Sequence, residues 1–263
     1  MSTHAPTMDA MPGSTTGGLF VNGANGPLDE QGQGLQCRRV NTGPSDQQQA
    51  PRRLSPVNTA TWAAIGIGGV VAVANWWSRL RHNDRVEAWS KPLVTIAMIT
   101  AALTIDASPS SARMWFVIGL VACLIGDVAL LPALDRFIVG LGAFWIGHAI
   151  FGIGALTIGV HRGWTVVPVV VLSLGVGVFA GPKIVRGSGS LAPAVGLYLG
   201  VIVVMAILVG ATGRIAGMIG AMAFVASDAV LGWNRFVREE RWASATIMMT
   251  YHAALAGLVL TLR

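Results

Sequence analysis

The chain carries few charged side chains for its length. Lysine and arginine number 18 and aspartate and glutamate 12 among 263 residues, so charged residues make up 11% of the sequence. Soluble domains contain about a quarter charged residues. Because 53% of the residues are also hydrophobic, this composition excludes an ordinary soluble domain and indicates a protein that crosses a membrane several times.

Cysteine is scarce as well, and its positions exclude further classes. Cys37 lies in a polar N-terminal segment and Cys123 in an apolar run, so we expect no disulfide. No cysteine and histidine spacing is typical of metal ligands, and we expect neither a metal nor a cofactor. The chain also lacks a charged start followed by an apolar stretch, which argues against a cleaved signal peptide.

Residues 1–57 lack apolar runs and are rich in Gly, Pro, Ser, Thr and Gln. Such a segment cannot bury enough surface to offset its ordering entropy, and we predict a disordered N-terminal tail. The net charge of +6 is typical of loop arginines that orient a membrane protein and touch anionic lipid. No pattern resembles a nucleic-acid-binding surface, so membrane lipid is the expected partner.

Residues 58–263 are predicted to form an all-α bundle of about eight transmembrane helices. Continuous apolar runs of about 17–22 residues can each span about 30 Å of hydrocarbon as a helix, and a barrel would show alternation instead. The predicted spans are 58–77, 91–106, 114–133, 137–159, 164–181, 191–210, 214–232 and 243–262. The polar breaks on the face of the 1–2, 3–4, 5–6 and 7–8 loops hold more basic residues, which predicts a cytoplasmic location for that face and outside termini.

Two aspartates are the only acidic residues within the long apolar runs. Asp127 is predicted about two turns before the end of the third span, and Asp228 about one turn before the end of the seventh. A carboxylate at bilayer depth is expensive and normally faces a protein interior or a water-filled cavity. Asp127 and Asp228 therefore predict a paired-acid site inside the membrane bundle.

Other polar residues are expected in the same half of the bilayer. Lys91 is predicted to open the second span, whereas Asn234 and Arg235 are predicted to begin the loop after the seventh. Each has a simpler interpretation as an interfacial anchor or a packed core residue. The candidate substrate-binding or orienting residues are Lys91, His148, Tyr198, Ser227, Asn234, Arg235, Tyr251 and His252.

Five short motifs in order resemble the YhhN-like family, which includes the vertebrate lysoplasmalogenases. They are KPL (91–93), GDVALL (126–131), GLGAFWIGH (140–148), SDAVLGWNRF (227–236) and MTYHAAL (249–255). The family often has Tyr-Tyr where this chain has Tyr251-His252, which leaves the role of His252 open. The resemblance implies hydrolysis of the vinyl ether bond of a lysoplasmalogen-type lysophospholipid, which gives a fatty aldehyde and a glycerophospho-amine. We expect a multi-pass protein of a bacterial plasma membrane.

The candidate residues suit this implied chemistry. Protonation of the distal vinyl carbon gives an oxocarbenium-like cation, and glycosidases handle such cations with two carboxyl groups. Asp127 and Asp228 can supply the pair, His148 or Tyr251 can orient the water, and Lys91 and Arg235 suit the phosphate. Two other classes stay open, namely a small-molecule or lipid transporter that uses the aspartates as a proton relay and a lipid-binding protein without activity.

Overall fold

A computed structural model describes residues 58–161 and 163–263, and the predicted tail of residues 1–57 lies outside the described residues. The described residues contain no strand. They form eight helices long and apolar enough to cross a membrane, which confirms the predicted all-α membrane bundle. These helices are α1 (Thr59–Arg81), α2 (Asp84–Thr104), α3 (Ser110–Ala129), α4 (Phe137–Ile158), α5 (Val166–Gly187), α6 (Gly189–Gly210), α7 (Ile215–Phe236) and α8 (Ala243–Leu260).

Helix α2 begins two turns earlier than predicted. The Asn83 side chain accepts a hydrogen bond from the Val86 backbone N–H at 3.2 Å, and an asparagine there satisfies one of the unpaired donors of a helix start. Asp84 and Glu87 in the first turn also favour the positive end of the helix dipole. The expectation that Lys91 opens this helix is therefore wrong, because a reading based on apolar runs misses a polar first turn.

Other helix ends also differ from the predictions. Helix α7 continues to Phe236, so Asn234 and Arg235 lie in its last turn rather than in a loop, where an arginine interacts well with the helix dipole. Asp127 lies in the last turn of α3 and Asp228 two turns before the end of α7, the reverse of the predicted depths. Helix α5 contains one π-helical turn, Val176–Ala180, and continues past residue 181 to Gly187.

Three antiparallel hairpins, α1–α2, α3–α4 and α7–α8, form most of the bundle. Helix α6 packs against α4 and α7, α8 also contacts α1, α2 and α3, and α5 lies against α6 and α7. Helices α7 and α8 approach closely at two glycines, since a Cβ on Gly257 would lie 2.6 Å from Gly220 Cα. Because successive spans cross in opposite directions, the α1–α2, α3–α4, α5–α6 and α7–α8 loops share one face, called the site face below.

Candidate active site

A cavity of about 300 Å³ opens on the site face, between helices α1, α2, α3, α4, α7 and α8. Both membrane aspartates line it, although they come from helices that are far apart in the sequence. Five of the eight other candidate residues line the same cavity. These are Lys91, Ser227, Asn234, Arg235 and Tyr251.

Asp127 is fully buried and paired with a cation. Its Oδ2 accepts hydrogen bonds from the Thr95 hydroxyl at 2.5 Å and from the Tyr251 hydroxyl at 2.9 Å. Its Oδ1 lies 3.7 Å from Lys91 Nζ and accepts no hydrogen bond within the described part of the chain. Lys91 and Thr95 are one turn apart on the same face of α2. One helix therefore supplies both an ammonium and a hydroxyl to this carboxylate.

Asp228 has a different environment. Its Oδ2 accepts a hydrogen bond from the Tyr198 hydroxyl of α6. It lies 3.8 Å from His148 Nε2 of α4, which is beyond hydrogen-bond distance. None of the ion pairs between residues 58–161 and 163–263 joins Asp228 to a lysine or arginine. The two acids thus share a cavity but differ in the charge beside them.

Aromatic rings connect the two acids beneath the cavity. The Phe224 ring lies between His148 and Tyr251, with centroid distances of 4.5 and 5.7 Å. Tyr251 also meets the edge of Phe144 at 5.8 Å, and His148 meets Tyr198 at 5.5 Å. Edge-to-face pairs of this kind fix ring orientation beyond simple burial. Packing therefore holds the hydroxyl donors to both carboxyl groups in place.

The mouth of the cavity is charged. The Arg79 guanidinium binds Glu87 and the Ser244 hydroxyl, so α1 and α2 close one side through a paired cation. The Arg235 guanidinium lies over the Phe137 ring at 4.9 Å and has no ion pair with the residues described. Since it is exposed and unpaired, Arg235 is the cation best placed to meet an anionic group at this mouth.

Two candidates at the cavity wall form bonds that join α7 to the following segment. The Ser227 hydroxyl donates to the Ile247 carbonyl at 3.1 Å. The Asn234 side-chain oxygen accepts from the Glu240 backbone N–H at 2.7 Å. Both side chains therefore hold the α7–α8 side of the cavity in shape while lining it.

His252 lies away from the acids. Its Nδ1 accepts a hydrogen bond from Trp76 Nε1 at 3.0 Å, and it lines a separate groove beside α1 and α2. Because Nδ1 accepts, a neutral imidazole carries its proton on Nε2. The one-residue difference from Tyr251 turns the side chain by about 100° around α8, which explains why neighbours in the sequence face different spaces.

Several residues of the site were missed by the sequence reasoning. Thr95 lies in an apolar run and was not predicted. Its spacing of four residues from Lys91, which places both side chains on one face of a helix, is the signal that could have identified it. Arg79 and Glu87 fall in the polar break between the first two predicted spans, and nothing in the local sequence indicates that they meet at the cavity mouth. No group of three or more His, Cys, Asp and Glu in the part of the chain described here is placed to hold a metal ion.

The comparisons with known proteins agree with the motif resemblance. The family model described as the YhhN family matches residues 86–262, about two-thirds of the chain. This range contains all ten candidate site residues. No curated protein and no solved structure matches the chain.

Proposed function

The chain belongs to the YhhN family, and on this premise we propose that it hydrolyses the vinyl ether bond of a lysoplasmalogen-type lysophospholipid in a bacterial plasma membrane. The products are a fatty aldehyde and a glycerophospho-amine. The observation that carries the proposal is the pair of buried carboxyl groups in one cavity, of which only Asp127 has a lysine partner.

The unlike surroundings of the acids assign their roles in this proposal. Lys91 and two hydroxyl donors compensate the negative charge of Asp127, so Asp127 acts as the ionised carboxylate. A buried carboxylate without a cation is costly, so Asp228, held by the Tyr198 hydroxyl, acts as the protonated acid. Paired carboxyl groups with different surroundings are the usual arrangement for acid and base roles in one site.

The proposed reaction begins with proton transfer from Asp228 to the vinyl carbon distal to the ether oxygen. The carbon next to that oxygen becomes an oxocarbenium ion, which the Asp127 carboxylate stabilises. Water adds to this carbon and gives up a proton to the Asp228 carboxylate left by the first step, which forms a hemiacetal and restores the acid. The hemiacetal then breaks its bond to the glycerol oxygen, which leaves as an alcohol, and an aldehyde remains. Proton uptake and release balance, so no co-reactant other than water is needed.

The position of the cavity suits the polar end of such a lipid. It opens on the site face, where the exposed Arg235 guanidinium can form two parallel hydrogen bonds with a phosphate. Lys91, predicted for the same task, is buried and lies 3.7 Å from Asp127. In this proposal Lys91 therefore serves the carboxylate, and Arg235 carries the contact with the headgroup.

Three matched substrates test this function. Purified protein is incubated with a 1-alkenyl lysophospholipid, its saturated 1-alkyl analogue and its 1-acyl analogue, and aldehyde release is measured. We expect aldehyde from the alkenyl lipid alone. Release of fatty acid from the acyl lipid without any aldehyde would replace the proposal with an ester hydrolase, and no product from any of the three would favour a transporter or a binding protein.

A further inference from the structure

An apolar groove of about 610 Å³ runs between α4 and α6. It lies outside the cavity lined by Asp127 and Asp228, which is called the acid cavity below. Its walls are aliphatic side chains and glycines, with one histidine at the level of the acids. Representative lining residues are His148, Gly152 and Leu156 of α4 and Gly196, Gly200 and Leu208 of α6.

Two glycines of α6 leave this groove open. A Cβ added to Gly196 or to Gly200 would meet no atom within 4 Å, so neither glycine is needed for close packing within the chain. Leu156 and Val204, on opposite walls, are 54% and 58% exposed. The groove therefore faces the lipid along its length.

His148 connects the groove to the acid site. Its imidazole is 1% exposed, and its Nε2 has no hydrogen-bond partner within the described residues. The residue lines the groove, while Nε2 lies 3.8 Å from Asp228 Oδ2. A buried polar group without a partner is uncommon, and here it stands at the boundary between an apolar groove and a carboxyl group.

The dimensions of the two spaces indicate what the groove holds. A volume of about 300 Å³ is at the lower limit for pockets that enclose a drug-sized ligand, so the acid cavity is too small for a whole lysophospholipid. The groove extends from Gly196 to Leu208, which is roughly 18 Å at 1.5 Å per residue. A lipid chain extends about as far as one leaflet of hydrocarbon, which is about 15 Å thick. The groove is therefore long enough for a single lipid chain.

We propose that the α4–α6 groove binds the single hydrocarbon chain of a lysophospholipid and so places its first carbons beside His148 and Asp228. This inference rests on the proposed function for the identity of the substrate. Lipid tails are as apolar as the groove, so burial in it gains little in a bilayer. The groove acts through position, holding the bond to be cleaved at the acids while the headgroup remains at the site face.

Filling the groove tests this proposal with a matched control. Gly200→Leu places a branched side chain in the groove without an expected backbone clash, since no atom lies within 4 Å of its Cβ. Gly66→Leu is the control, because Gly66 on α1 is equally unobstructed and lines none of the described cavities. For a long-chain alkenyl substrate we expect Gly200→Leu to lower kcat/KM about 10–100-fold, the scale of a misplaced reacting bond. A short-chain substrate should lose less than threefold, as should Gly66→Leu with either substrate.

A second measurement does not depend on turnover. A saturated 1-alkyl lysophospholipid with a photoactivatable diazirine at the end of its chain is crosslinked to the protein, and the labelled peptides are identified. We expect labelling within 148–156 and 196–208, loss of this labelling in Gly200→Leu, and retention in Gly66→Leu. Unlabelled lysophospholipid should compete for it, whereas two-chain phospholipid should not.

Each contrary result overturns the inference in a different way. Equal competition by two-chain phospholipid means that ordinary bilayer lipid fills the groove. A wild-type dimer that Gly200→Leu converts to a monomer, measured by light scattering, means that a second copy covers it. Labelling confined to other helices places the chain elsewhere. Specific labelling of the groove together with no aldehyde from any alkenyl lipid would refute the proposed function and leave the chain site standing.

Discussion

The ion pair between Lys91 and Asp127 predicts a large energetic coupling. The two side chains are 5% and 0% exposed, and Nζ lies 3.7 Å from Oδ1. With an effective dielectric constant of about 20, two unit charges at this distance attract by about 4 kcal/mol. Desolvation of both groups offsets part of this attraction, but removal of one partner from a buried pair typically costs about 3–5 kcal/mol. We therefore expect Lys91→Met and Asp127→Asn each to destabilise the bundle by about 3 kcal/mol.

The double variant is the decisive member of this series. If the cost of each single change comes from an uncompensated charge, the double variant should be at least about 2 kcal/mol more stable than the sum of the single effects predicts. The free energy of unfolding is measured by denaturant titration in mixed micelles. Lys183→Met is the matched control, since the Lys183 ammonium lies over Trp233 at 5.3 Å and has no described carboxylate partner. Additive single effects would refute the pairing and, with it, the role assigned to Asp127.

Three further predictions concern the second acid, the helix packing and the orientation. Tyr198→Phe removes the hydroxyl donor to Asp228 and is expected to lower kcat about tenfold in protein that still purifies as a folded bundle, whereas an unchanged kcat would remove Tyr198 from the site. Gly257→Ala forces α7 and α8 apart, because its Cβ would lie 2.6 Å from Gly220 Cα. It is expected to lower the free energy of unfolding by more than about 2 kcal/mol, whereas Gly66→Ala should have no measurable effect. Single cysteines are placed at the exposed positions Ser190 and Ser110, with Cys37 and Cys123 replaced. We expect an impermeant maleimide to label only the cysteine at position 110 in intact cells, and the opposite pattern would place the site face outside.

The membrane fold could be predicted from the sequence because hydrophobic length alone determines it. Eight apolar runs of sufficient length leave the backbone little choice except helices, and the eight spans are confirmed. The ends could not be placed in the same way. Asn83 and Asp84 begin α2 through capping and charge, and Arg235 continues α7 in its last turn. These effects extend helices through polar residues that a hydropathy reading assigns to loops.

The site residues could be identified from the sequence where a buried polar group is energetically expensive. The contacts between these residues could not be predicted. Asp127 and Asp228 are conspicuous in apolar runs, and the structure brings both to one cavity. Their different partners depend on how α2, α6 and α8 pack against α3 and α7, which sequence spacing within one helix does not encode. Lys91 illustrates this, since a residue predicted to bind the substrate phosphate is buried beside a carboxylate.

The most direct test of the central claim follows the proton and the two aspartates together. Hydrolysis of the alkenyl lysophospholipid in D₂O should give an aldehyde with one deuterium on the carbon next to the carbonyl, because protonation of the distal vinyl carbon precedes water addition. Asp127→Asn and Asp228→Asn should each lower this turnover about 10²–10⁴-fold in protein that still purifies as a folded bundle, whereas Asp84→Asn at the exposed start of α2 should not. Near-wild-type turnover by either variant, or an aldehyde without deuterium, would contradict paired-aspartate hydrolysis of a vinyl ether.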